Sequence, residues 1–191
     1  MLSDLIKHID TLLSVQDRVT LAISGFGGSG KTTLADIVRD HYKIDDRQVI
    51  RLDNLFAMKP YGDGIFDNYD WATITNLLQS IPTSKELHYR GRGVNGETYP
   101  FEFNEPMPKV IIIEGVRLLR PEVMSYFDVS VWIDCPLDIA TERGKSRDRA
   151  DHRSEEHMKR WDTEWTPKNA KYEEIYHPAK LASFIYRETL A

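Results

Sequence analysis

The run Gly25-Phe26-Gly27-Gly28-Ser29-Gly30-Lys31-Thr32 constrains this chain more than any other. It fits G-x-x-x-x-G-K-[ST], a spacing with a chemical reason behind it. Glycines let the backbone curl until several N–H groups point at one phosphate. A helix beginning at the end of the loop adds its positive N-terminus. Lys31 supplies a cation for the β and γ oxygens, and Thr32 a hydroxyl for Mg²⁺. The flanks agree: VTLAIS (19–24) reads as a buried strand, and Leu34, Ile37 and Val38 fall at helical spacing. Gly25, Gly27, Gly28, Ser29, Gly30, Lys31, Thr32 and Thr33 are therefore the candidate nucleotide-binding set, with ATP and Mg²⁺ as the implied ligands.

The other elements fall in place around that loop. Leu2, Leu5, Ile6, Ile9, Leu12 and Leu13 predict an amphipathic helix over 2–13. QVIRL (48–52), KVIIIEG (109–115), DVSVWID (128–134) and ASFIY (182–186) read as further strands, and 70–81 as a helix. Apolar strands alternating with helices predict a doubly wound α/β fold, a five-stranded parallel sheet with helices on both faces. Two segments interrupt the alternation. Residues 84–106, with Asn95-Gly96 and the alternating TYPFEF, predict a β-hairpin insertion. Residues 138–175 are dense in charge and predict helix, with Trp161 and Trp165 one turn apart and more at home in a core than on a cofactor.

Composition excludes several classes. The chain has 191 residues, the size of a single domain spanning 1–191. One cysteine, Cys135, leaves no internal disulfide and no CxxC zinc site. The net charge of -5 gives no electrostatic case for nucleic acid as a partner. The longest aliphatic run, Val110 to Ile113, is far short of a bilayer span, and MLSDLIKHID lacks the apolar stretch of a signal peptide. A cytoplasmic protein is expected. Its oligomeric state is open, a homo-oligomer included.

Three classes of phosphate-loop protein compete. A switch GTPase needs DxxG and NKxD segments, and neither occurs. A motor ATPase ends its second acidic strand in Asp-Glu, whereas this strand ends Ile113-Glu114-Gly115. A kinase needs a base for an acceptor hydroxyl, a lid that excludes water and an acceptor pocket. Asp53 ends the second strand, on the sheet edge where ligands bind, and could accept a hydroxyl proton; a turn or cap aspartate is the plain alternative. Glu114 could hold a Mg²⁺-bound water, or be a buried structural acid. Arg143 and Arg147, four apart on one helix face, could neutralise a transferring phosphoryl group, or simply be solvated. Arg149 and Arg153 repeat that spacing.

From 19 to 186 these ordered motifs resemble the uridine kinase family, a branch of P-loop kinases that includes phosphoribulokinase, pantothenate kinase and nicotinamide riboside kinase. The resemblance implies that RLDNLF supplies the catalytic base, Asp53, and that IIIEGV supplies a magnesium-linked glutamate, Glu114. RGKSRD would be a helical arginine lid, within 138–160, whose Arg143 and Arg147 contact phosphate. IFDNYDW implies an aspartate on the acceptor's diol. Asp67 fits the uridine kinase phrase, while Asp70, helped by Lys59-Pro60, fits that of nicotinamide riboside kinases. Tyr89 is placed to pack a base, but no histidine follows it within 90–96 to read a pyrimidine edge. Arg90 and Arg92 could meet an anionic acceptor or be exposed hairpin charges, and one or more of Tyr99, Phe101 and Phe103 could line the pocket. The implied activity is ATP-dependent phosphoryl transfer to a hydroxyl of a small metabolite, a nucleoside 5′-hydroxyl first. Nicotinamide riboside, pantothenate and sugar phosphates are the alternatives. The rival of another class is a nucleotide-binding regulatory module with no acceptor of its own.

Overall fold

The structure, a computed structural model, describes residues 1–57, 64–92 and 98–187, with backbone alone at 92, 98–101 and 103. Lys59-Pro60, Asn95-Gly96 and the side chains of Arg92, Tyr99, Phe101 and Phe103 therefore lie outside what is described. In chain order the main elements are α1 (Leu2–Leu13), β1 (Val19–Ser24), α2 (Lys31–Tyr42), β2 (Ile50–Arg51) and α3 (Trp71–Ser80). Then come β3 (Glu86–Arg92), β4 (Thr98–Pro106), β5 (Val110–Glu114) and β6 (Val129–Ile133). The chain closes with α4 (Leu137–Ala150), α5 (Glu155–Arg160), α6 (Thr166–Tyr176), α7 (Pro178–Leu181) and β7 (Phe184–Tyr186).

The main sheet has five strands in the order β2-β5-β1-β6-β7, every pairing parallel. The predicted sheet is thus the observed one, and β3 and β4 form a separate antiparallel hairpin. Every residue of β1, β5 and β6 is buried, so alternate side chains feed two different cores. Val19, Leu21 and Ile23 of β1, with Val110, Ile112, Val129 and Val131, face Leu5 and Ile9 of α1 and Leu34 and Val38 of α2. Ala22, Ile111, Ile113 and Trp132 face the other way, toward Ile74 and Leu78 of α3, Leu87 and Tyr89 of β3, and Tyr172 of α6. Burying each such aliphatic side chain contributes about 1.5–3 kcal/mol.

The second strand is shorter than the apolar run 48–52 suggests. It pairs only at Ile50 and Arg51, and a 3₁₀ turn, Leu52–Asn54, takes over at once. The reason is packing. Leu52 is fully buried against Gly115, where an added Cβ would lie 2.5 Å from the leucine side chain. Turning the chain there carries Asp53 over the C-terminal edge of the sheet.

Candidate active site

The register of the sheet sets the frame. Glu114 lies opposite Ile23 on one side and Arg51 on the other, so the ends of β1, β2 and β5 emerge together. The glycine loop leaves β1 at this edge and runs into α2 at Lys31. Gly28 and Gly30 hold φ values of 83° and 98°, which would cost another residue about 1–2 kcal/mol. Gly28 has a second reason to lack a side chain: a Cβ there would lie 2.1 Å from the Ala140 carbonyl oxygen on α4. At Gly27 a Cβ would meet the Trp161 ring at 2.9 Å, and at Gly144 the same ring at 2.2 Å. The loop glycines therefore let α4 and Trp161 close against the loop, as well as freeing its amides.

Lys31 Nζ donates to the Phe26 carbonyl at 2.9 Å, bridging the loop it ends. Burial pushes the Lys31 ammonium pKa down, against the pull of Glu114 and Asp53. Thr32 Oγ1 donates to Glu114 Oε1 at 3.3 Å. Burial raises the Glu114 carboxyl, opposed first by Lys31. Arg51 Nε stands 3.8 Å from Glu114, while its Nη2 pairs with Asp36 and Asp46 at 3.3 and 2.8 Å. Asp53 is exposed and makes no hydrogen bond or ion pair among the described residues.

On the far side stands α4. Asp148, buried at its C-terminal end, accepts from Arg147 Nη2 at 2.9 Å and from Trp161 Nε1 at 2.8 Å, with His157 Nε2 at 3.0 Å. Burial alone would raise this carboxyl, but the hydrogen bonds from Trp161 and Arg147 outweigh it and hold it below the usual 3.8. The network joins α4 and α5 to the π-helical stretch Trp161–Trp165.

Between these walls lies a cavity of about 550 Å³. Gly27, Gly28, Gly30, Lys31, Thr32, Thr33, Asp53, Glu114, Arg143 and Arg147 all line it. Arg153 lines it too, while Arg149 is exposed elsewhere. Gly25 and Ser29 belong to the loop but are not among the lining residues: Ser29 is buried, and a Cβ on Gly25 would lie 2.6 Å from its hydroxyl oxygen.

The four residues expected on the acceptor are placed differently. Asp70 caps α3, accepting from Thr73 N at 3.0 Å and Thr73 Oγ1 at 2.9 Å. Asp67 is exposed and accepts from Gly64 N at 2.9 Å, closing the turn 64–67. Tyr89 is buried beside Asn54 under the 3₁₀ turn, and burial pushes its phenol up. Arg90 is exposed on the hairpin and pairs with Glu102 across it. None of the four lines the cavity; Asn68 and Tyr69, between the two aspartates, do.

Sequence reasoning passed over several lining residues: Phe56, Asn68, Tyr69, Arg117, His157 and Asn169, and Trp165, expected in a core, lines the cavity as well. Trp161, expected in a core, is buried and also lines the cavity. Arg117 had one signal, a lone cation between Val116 and Leu118-Leu119. It is only 2% exposed, its φ of 58° is left-handed, and Nη1 donates to the Ile65 carbonyl at 2.6 Å.

No family model matches the chain. A uridine kinase of Shewanella sp. (strain ANA-3) is 29% identical over 155 residues, 73% of each chain. A uridine kinase of Clostridium novyi (strain NT) is 26% identical over 142 residues, 68% of each. Among solved structures, a protein of Silicibacter sp. TM1040 provisionally named a fructose transport system kinase superposes with a TM-score of 0.72 at 19% identity, covering 97% of this chain and 98% of its own. A possible uridine kinase of Bacillus stearothermophilus gives 0.62 at 21% identity, covering 96% and 99%. The chain is thus similar in sequence to uridine kinases, and it shares its fold over nearly the whole chain with these two solved structures.

Proposed function

We propose that this chain transfers the γ-phosphoryl group of ATP to a hydroxyl of a small metabolite. The observation that carries the reading is the convergence of Lys31, Asp53, Glu114, Arg143 and Arg147 on one cavity. Amides of 27–32 and Lys31 bind the phosphates. The residues also suit Mg²⁺: Thr32 and Glu114 offer adjoining hard oxygen ligands beside the loop. Held by these residues, Mg²⁺ would supply charge neutralisation for the phosphates. Asp53 orients the acceptor hydroxyl and takes its proton, which its exposure allows. Arg143 and Arg147 draw over the transferring group, and Trp161 with α4 excludes water from it. The transition state is loose, so positioning and charge neutralisation supply most of the rate.

In this reading the chain is a single kinase domain, with 138–160 as its lid and the 84–106 hairpin flanking the acceptor side. A nucleoside 5′-hydroxyl is the first acceptor to try, because the sequence relatives are uridine kinases. Asp67 or Asp70 grips the acceptor's diol only if it leaves its present turn or cap, and Tyr89 stacks on a base only if it is first uncovered. A screen of ATP consumption over nucleosides, nicotinamide riboside, pantothenate and sugar phosphates tests the reading. Acceptor-dependent consumption is expected, with near silence when acceptor is omitted. ATP hydrolysis indifferent to every acceptor would instead favour a regulatory nucleotide-binding module.

A further inference from the structure

We propose that Arg117 and Asn169 form an oxyanion subsite at the acceptor end of the cavity. The hydroxylated acceptor is then a small acid bearing a carboxylate or a phosphate. The inference rests on the kinase reading and names the acceptor class for it.

A guanidinium presents five N–H donors and stays charged. Taking that charge out of water is costly unless an anion meets it. Arg117 is 2% exposed, and its Nε has no hydrogen-bond partner. Among the described residues no carboxylate lies within ion-pair distance of it. The two that act on it from farther away are Glu164 and Asp53. Glu164 is already engaged by Arg160 at 2.9 Å, Asn68 at 3.0 Å and Lys168 at 3.5 Å. Asp53 stands exposed where the hydroxyl must arrive. Asn169, 3% exposed on α6, also lines the cavity, where its side-chain amide N–H₂ can donate to an anion. A buried guanidinium with a donor unused and a buried amide thus line one space, in a molecule where most buried polar groups are satisfied.

The mount of Arg117 is rigid, as recognition requires. Ser24 Oγ donates to the Gly115 carbonyl at 2.9 Å and accepts from Leu118 N at 3.3 Å. Leu118 and Leu119 are fully buried, and the Tyr172 hydroxyl donates to the Leu119 carbonyl. The left-handed backbone at Arg117 is a further constraint of the kind that persists at functional sites. The bond to Ile65 ties the residue to the 64–70 turn rather than to the phosphate loop. Arg90, the hairpin arginine that suggested an anionic acceptor in the sequence, is instead neutralised by Glu102. The geometry moves that task to Arg117.

The test measures ATP consumption with three panels: neutral nucleosides, hydroxycarboxylic acids and sugar phosphates. Turnover is expected with one of the two anionic panels, and which one separates carboxylate from phosphate. Arg117→Gln should then raise the acceptor KM tenfold or more and leave the ATP KM within twofold. Asn169→Asp, which sets a like charge against the anion without touching the Ile65 bond, should do the same if Arg117→Gln fails to fold. Turnover of a neutral nucleoside that both variants leave unchanged overturns the inference, as does a rise in the ATP KM in place of the acceptor's. If no panel supports turnover, the kinase reading falls, and the subsite is judged by binding. Inorganic phosphate or acetate is titrated into the protein saturated with Mg-ADP while its melting is followed. A shift lost in the variants upholds the subsite, and no variant-sensitive shift overturns it.

Discussion

On the proposed reading the cavity has a phosphate end and an acceptor end, and the two are built on different principles. The phosphate end is one contiguous stretch, 25–33, and most of its chemistry comes from backbone amides, one lysine and one hydroxyl. The acceptor end is assembled from side chains of three distant segments, 68–69, 116–117 and 165–169, brought together by the turn after β5 and by α6. A backbone-built site must specify its glycines, and glycine spacing survives in the sequence as a motif. A side-chain-built site needs only the right residues at the right places in space, and those leave no spacing to read.

The comparison breaks most sharply at Lys31. Lys31→Ala should weaken Mg-ATP binding and turnover together, with kcat/KM down on the order of 10²–10³ or more. Calorimetric titration of Mg-ATP alongside the turnover assay checks this, and a fully active variant would sink the phosphate-loop assignment. Asp53 sits at the junction of the two ends. Asp53→Asn should cut kcat by about 10²–10⁴, while Mg-ATP affinity stays within a factor of two. Equal loss of both would move Asp53 out of the base role and into the nucleotide site.

How much of this was legible follows the same division. The parallel sheet was readable because β1, β5 and β6 are buried along their whole length, so their residues form unbroken apolar runs. The ends of those runs placed Glu114 and the glycine loop, helical spacing put Arg143 and Arg147 on one face, and all of them line the cavity. What the spacing of Asp67 and Asp70 could not reveal is that local backbone groups claim both carboxylates, in a turn and in a helix cap. Short polar side chains near a helix start commonly do this. Nor could it reveal that Trp161 joins α4 to the loop, because that contact depends on Gly27 and Gly144, distant in the chain, lying under one ring. Arg117 was visible only as a cation in an apolar run, a pattern with no chemistry attached until burial and partners are known.

Asp148 tests whether the lid side belongs structurally to the phosphate end. Asp148→Asn removes the charge that Arg147, His157 and Trp161 share, and should cost about 2 kcal/mol of stability. In a chain of this length that lowers the melting temperature by roughly 5 °C. The pH dependence carries the sign. The folded carboxyl sits below its unfolded value of 3.8, so its contribution is complete above that value and fades as the pH falls through the folded one. The variant should therefore lose stability less steeply than the wild type below about pH 4. Melting curves across that range decide it, and parallel curves would mean that Asp148 carries no charge-dependent share.

The smallest effect sharpens the acceptor end by subtraction. Arg90 lies on the hairpin, where a purely sequence-based reading would look for an anionic acceptor. Its side chain is 71% exposed and its partner Glu102 44% exposed, so the pair is screened by water and contributes about 0–1 kcal/mol. Arg90→Ala should leave stability within about 0.5 kcal/mol and the acceptor KM within twofold, measured with whichever acceptor the screen identifies. A tenfold rise in that KM would mean that the hairpin folds over the acceptor during turnover and that Arg90 exchanges Glu102 for substrate. The acceptor end would then be a surface completed by closure, not one held ready by the turn after β5.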